Sequence, residues 1–115
     1  MANTFKVITK AGITTADVIY TVAGSTTTVI LGLIIGNTTS SSINATVTLG
    51  SDTGSRAGAN NEDNETVELI TSTPIPGNST LELLSGNKVV METTDTLSVT
   101  GSGLVDVALS VMEIT

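Results

Sequence analysis

Apolar residues along this chain recur at every second position in short blocks, and turn residues separate the blocks. Phe5, Val7 and Thr9 alternate with Lys6, Ile8 and Lys10, which predicts a first strand broken by Ala11-Gly12. Asp17 to Val22 predicts a second, closed by the turn signal Ala23-Gly24-Ser25. Thr27 to Ile35 is almost continuously apolar and reads as a central strand covered on both faces, with Gly32 marking a bulge or a close approach. After the polar turn Asn37 to Ser42, Ile43, Ala45, Val47 and Leu49 alternate with Asn44, Thr46 and Thr48, a half-buried strand with one wet face. Thr66 to Thr71 is similar, with Val67 and Leu69 inward and Glu68 outward. Pro74 and Pro76 lack the N–H that a ladder needs, so they belong at an edge or a connection.

The second half continues in the same rhythm. Leu81 to Leu84 is a strand, Ser85-Gly86-Asn87 its turn, and Lys88 to Glu92 the returning strand. Thr93-Thr94-Asp95 turns again before the strand carrying Leu97 and Val99. Gly101-Ser102-Gly103 leads to the last, Leu104 to Ile114. There Val105, Val107, Leu109 and Val111 form one apolar face, and Asp106, Ser110 and Glu113 break up the other side. No window carries a period of 3.6. Eight to nine short strands with short turns predict an all-β chain, a single antiparallel β-sandwich over 1–115 of jelly-roll or immunoglobulin-like type.

Composition supports this reading. Val, Ile and Thr make up 44 of the 115 residues, and β-branched side chains fit a pleated surface. Phe5 and Tyr20 are the only aromatics, so the core is aliphatic and stacking on bases or sugars has little to work with. Met1 to Lys6 has no apolar stretch behind its charge, so no signal peptide is expected. The run Val29 to Ile35 is far short of the roughly 20 residues of a membrane span. The Asn-x-Ser/Thr sequons at Asn37, Asn44, Asn64 and Asn78 are what chance gives in a chain this rich in Asn and Thr.

Charge and missing residue types narrow the chemistry. The net charge of -7 opposes direct binding to nucleic acid phosphates. Without Cys there is no disulfide framework and no thiolate metal site, and without His the commonest general base and metal ligand are gone. A Ser-His-Asp triad is therefore impossible. A Ser-Lys dyad would have to use Lys6, Lys10 or Lys88, and Lys88 reads as an exposed hairpin end. Glu92 and Asp95 are a conceivable acid–base pair, but an Asp after Thr93-Thr94 reads better as an acceptor for turn amides. No catalytic residue, cofactor or metal ligand is assigned, and no enzymatic activity is expected.

One segment departs from the strand rhythm. Residues 51–65 are polar, and loops of that length are commonly functional or flexible. Asp52, Glu62, Asp63 and Glu65, with Asn60, Asn61 and Asn64, are hard oxygen donors of the kind calcium takes, but their spacing is not that of an EF-hand loop. A solvated loop tip and a partner contact, the latter also using Arg56, are the other readings. Lys6, Lys10, Glu68 and Glu92 are candidate guards of open sheet edges.

Several segments carry a family resemblance. The opening Met1-Ala-Asn-Thr-Phe-Lys is similar to that of small structural proteins of tailed bacteriophages of the marine and cyanobacterial type. So are Ile19-Tyr20-Thr21-Val22, Thr26 to Ile30 and Leu33 to Thr38. Pro74-Ile75-Pro76-Gly77-Asn78-Ser79-Thr80-Leu81, Gly86 to Glu92, Asp95 to Thr100 and Asp106 to Thr115 resemble them too. The likeness spans most of the chain outside 51–65, which is longer than usual. It implies a β-sandwich of the virion with no catalytic residues, assembled in the host cytoplasm, with other virion proteins and further copies of itself as partners. A capsid decoration or cement protein is expected first, a neck or tail component second, and a receptor- or glycan-binding module third. The segment 51–65 is expected to contact a neighbour or project outward.

Overall fold

A computed structural model describes residues 2–51, 64–84 and 86–115. Among them are nine strands and no helix: β1 (Asn3–Ile13), β2 (Asp17–Thr21), β3 (Thr27–Asn37), β4 (Ile43–Gly50), β5 (Val67–Ile75), β6 (Thr80–Leu83), β7 (Val89–Met91), β8 (Thr96–Gly101) and β9 (Val105–Ile114). Each coincides with a block of β-branched or alternating residues, and the breaks fall at Gly, Ser, Asn or Asp except that between β1 and β2, which is Thr14-Thr15-Ala16. The break expected at Ala11-Gly12 is instead a register shift inside β1.

The pairing is nested. β1 pairs with β9, β2 with β8, β3 with both β6 and β7, and β4 with β5, all antiparallel. That is the pattern of one long ribbon folded over on itself. The pairings β3–β9 and β4–β8 then close it into two sheets, β1-β9-β3-β6 with β7 also on β3, and β2-β8-β4-β5. This order is a jelly roll and not an immunoglobulin-like sandwich. Between the sheets, Ile30, Leu33, Ile35, Leu109 and Val111 meet Ala45, Val47, Leu97, Val99 and Ile75, all essentially without solvent exposure. Each large aliphatic side chain so buried contributes about 1.5–3 kcal/mol.

Several local expectations are corrected. Val67, expected inward, is 48% exposed at the start of β5. β3 is central in its sheet but covered on one face only, since Ile34 is 45% exposed. The bulge expected at Gly32 is present as a register shift between Ile30 and Gly32. β7 does not return along β6. Both run antiparallel to β3, β6 along Leu33–Gly36 and β7 along Thr28–Ile30, as two pieces of one interrupted strand. Glu113 does not lie with Asp106 and Ser110. It shares the inward face with Val111, and its side chain is only 14% exposed. Among the edge guards, Lys6 and Lys10 lie on β1 and Glu68 on β5, both edge strands, whereas Glu92 lies beyond the end of β7. Pro74 is on the edge strand β5, and Pro76 is in the connection that follows it.

Gly77 lets that connection approach the turn after β3. A Cβ at this position would be driven into the carbonyl of Ser40, a backbone group that cannot swing aside. Gly77→Ala is therefore expected to cost about 1–3 kcal/mol, read as a lowered thermal midpoint. An unchanged midpoint would mean that the two connections separate freely.

Candidate functional site

The β3 strand runs the length of the sandwich, and polar side chains collect at its two ends. At the Thr27 end, Thr27, Leu49, Ser51, Asn64, Glu65, Val67, Val90, Glu92 and Asp95 line an open cleft of about 630 Å³. Of the residues singled out in the long polar segment, Asn64 and Glu65 stand in this cleft, and the Asn64 amide donates to the Ser51 hydroxyl (3.1 Å). Asp52, Arg56, Asn60, Asn61, Glu62 and Asp63 lie outside the described residues.

The carboxylate pair Glu92 and Asp95 is brought to the cleft, but Asp95 has a structural task. It is buried, and its Oδ2 accepts the Glu92 amide N–H at 2.9 Å. Its own N–H donates to the Glu92 carbonyl (3.0 Å), and its carbonyl accepts the Val22 N–H (3.0 Å). Thr94 N–H donates back to the Val22 carbonyl (3.1 Å), and the Thr93 hydroxyl links to the backbone of Thr26. The turn that enters β8 is thus stitched to the connection between β2 and β3. Among the described residues no group of three or more acidic side chains gathers so as to hold a metal ion. A shallower cleft of about 470 Å³ beside Thr9, Lys10 and Asp106 is similar in kind, with Asp106 accepting the Gly12 N–H (2.9 Å).

Near the same end of the sandwich a polar bridge joins the sheets. Tyr20 of β2 reaches across the interior, and its hydroxyl donates to Glu113 Oε2 (2.6 Å) beside the Thr28 hydroxyl (2.7 Å). Lys6 on the edge strand closes the far side, Nζ to Glu113 Oε1 at 2.8 Å. Burial first, and then the bond to Glu113, push the Tyr20 hydroxyl up to about 12. The Lys6 ammonium first, and then the Tyr20 hydroxyl, hold Glu113 below the usual carboxylate range. The raised Tyr20 value stabilises the fold fully below pH 10, and that contribution is lost as pH rises from 10 through about 12. The lowered Glu113 value contributes above the ordinary carboxylate range and is lost in acid. Tyr20→Phe is expected to lower stability by about 1–2 kcal/mol at neutral pH. In thermal melts the gap between wild type and variant should close between pH 10 and 12. A gap constant through that window would show that the phenol titrates the same way folded and unfolded.

At the opposite end the hub is Asn37, 97% buried as the last residue of β3. Its amide donates to the carbonyls of Ser41 (2.8 Å), Ile75 (2.9 Å) and Pro76 (3.2 Å). Its Oδ1 accepts the Thr39 N–H (2.9 Å) and hydroxyl (2.7 Å). One side chain thereby ties the β3–β4 turn to the end of β5.

Sequence reasoning gave Tyr20, Thr28, Glu113 and Asn37 no role of this kind. Glu113 carried a legible signal, since it continues the odd-numbered series Val105, Val107, Leu109, Val111. The groups at both ends share a chemistry. They satisfy donors and acceptors of turns and sheets, and every buried side-chain nitrogen and oxygen among the described residues has a partner.

Among the described residues no helix is long and apolar enough to cross a membrane. No family model matches the chain, and no curated protein matches it. Its fold is similar to a solved structure from the Bacillus endospore appendages, which form a family of disulfide-linked pili. The TM-score is 0.51 at 15% identity over 99% of this chain and 87% of that one. At that identity the similarity bears on the fold, an all-β sandwich that this chain builds without a single cysteine.

Proposed function

We propose that the chain is a non-enzymatic structural subunit of a tailed-phage virion, with capsid decoration or cementing as its first role. The observation that carries this reading is the use of its polar side chains. Asp95, Asn37, Tyr20, Thr28 and Glu113 lock turns and join sheets, an investment in rigidity. Two further points support it. Jelly rolls are a common architecture of viral capsid proteins, an analogy at the level of fold. The phage-like segments of the sequence also fall on its strands and turns, including the Pro74 to Leu81 connection held by Asn37. The appendage structure belongs to an assembly of a different kind, and it is compatible with a chain that works in many copies.

Neck or tail placement is the alternative, and copy number separates the two. A decoration protein is present in many copies per particle, and a neck or tail component in a few to a few dozen. A quantitative gel of purified particles reads this directly, and absence from the particles overturns both. A glycan-binding role is disfavoured by the cleft, because none of its lining residues is aromatic.

A further inference from the structure

The two outer faces of the sandwich differ in chemistry. On the sheet β2-β8-β4-β5 the outward positions of the two central strands are Thr96, Ser98 and Thr100 beside Thr46 and Thr48, a hydroxyl surface suited to water. On the other sheet, cross-strand pairing sets Phe5 beside Met112, Met112 beside Val29, and Val29 beside Val90. This is one apolar row crossing β1, β9, β3 and β7. Phe5 is 70% and Val90 60% exposed, Val7 at 64% adjoins the row, and Ile34 at 45% lies two rows along β3. The neighbouring outward rows, Asn3–Ile114–Thr27 and Val7–Ser110–Gly32, carry no charge. A chain of net charge -7 therefore keeps an apolar strip across this face, with Lys88 and Glu92 flanking Val90 along the chain and Glu82 and Asp106 farther along the strands, and such a strip marks interaction surfaces.

We propose that this face mates with the same face of a second copy, about a two-fold axis parallel to the strands and lying between β9 and β3. The sequence of the row favours that occupant. Phe, Met, Val, Val is large-large-small-small, and the two-fold reverses it. Phe5 of each copy then lies over Val90 of the other, and Met112 over Val29, so every large side chain meets a small one. The same rotation keeps the acids apart. Glu82, paired with Ile34 on β3, lies over Thr9 of the second copy, and Asp106, paired with Gly36, lies over that Gly36. Contact through other surfaces would bring two strongly acidic chains together with less apolar area to offset their repulsion. Four strands about 4.8 Å apart, used over some eight residues, cover on the order of 500 Å² per copy. Face-to-face packing thus buries about 1,000 Å² in all, the lower bound for a specific interface. The inference stands on this surface and holds whether or not the chain belongs to a virion.

Sedimentation equilibrium of the purified chain tests it, with Phe5→Lys, Val90→Glu and an equimolar mixture of the two. The wild type is expected to be a reversible dimer. Each variant alone leaves two charges facing apolar side chains and should weaken association at least about tenfold. The mixture should restore the dimer, because one contact becomes an ion pair and the other stays native. Both positions are exposed, and thermal melts of each variant confirm folding independently. A wild type that stays monomeric overturns the proposal. A dimer indifferent to both substitutions, or a mixture that fails to reassociate, overturns the face or the two-fold mating respectively.

Discussion

Asn37→Asp is expected to destabilise the fold by about 3–5 kcal/mol at neutral pH, although it exchanges only one NH2 for one oxygen. The two N–H groups of the native amide donate to three carbonyls, those of Ser41, Ile75 and Pro76, with one N–H shared. A carboxylate there donates none and turns its charge toward three carbonyl oxygens in a site that is 3% exposed. The new carboxyl would respond by holding its proton, so its folded pKa rises above the ordinary aspartate value. A raised folded pKa favours folding at low pH and loses that contribution as pH rises. The variant should therefore be nearer to wild type at pH 4 than at pH 7, whereas loss of the amide alone would give the same difference at both. Chemical denaturation at the two pH values reads the difference. Asn44→Asp, at an exposed position, is the matched control and should change stability by less than about 0.5 kcal/mol at both. Equal behaviour of the two variants would mean that Asn37 does not anchor the connections as its geometry indicates.

The second large effect concerns the core. Leu109 sits in the middle of β9, paired with Ile8 on one side and Leu33 on the other, with no solvent exposure. Leu109→Ala should cost about 3–5 kcal/mol and lower the thermal midpoint by on the order of 10–20 °C, because a sandwich closed by two hydrogen-bonded sheets has little freedom to collapse onto a cavity. Val7→Ala, two residues along β1 from the apolar row and facing outward, should change stability by less than about 0.5 kcal/mol. A similar loss at both positions would contradict the assignment of inner and outer faces.

These variants also show where the sequence was legible. Every strand could be located, because alternation of β-branched residues and Gly, Ser, Asn or Asp breaks are both local signals. The facing of β1 was harder. Phe5 and Val7 lie on one side and Ile8 on the other, and at an edge Lys6 and Lys10 can turn inward while their ammonium groups reach Glu113 and Asp17. The relation of β6 to β7 was hidden because it depends on the eleven-residue length of β3, which accommodates both pieces along one side. Asn37 gave no local cue, since it opens a run of Thr and Ser and its partners Ile75 and Pro76 lie 38 and 39 residues away. The candidate site was legible to the extent of Asn64, Glu65 and the turn role of Asp95. Glu113 was misplaced although its odd-numbered position continued the inward series.

A cryo-electron microscopy reconstruction of intact phage particles, with the chain's abundance measured in the same preparation, bears most directly on the proposed structural role. A decoration protein would appear as jelly-roll density at symmetry-related positions on the outer shell. Complete particles that contain none of the chain would contradict the role.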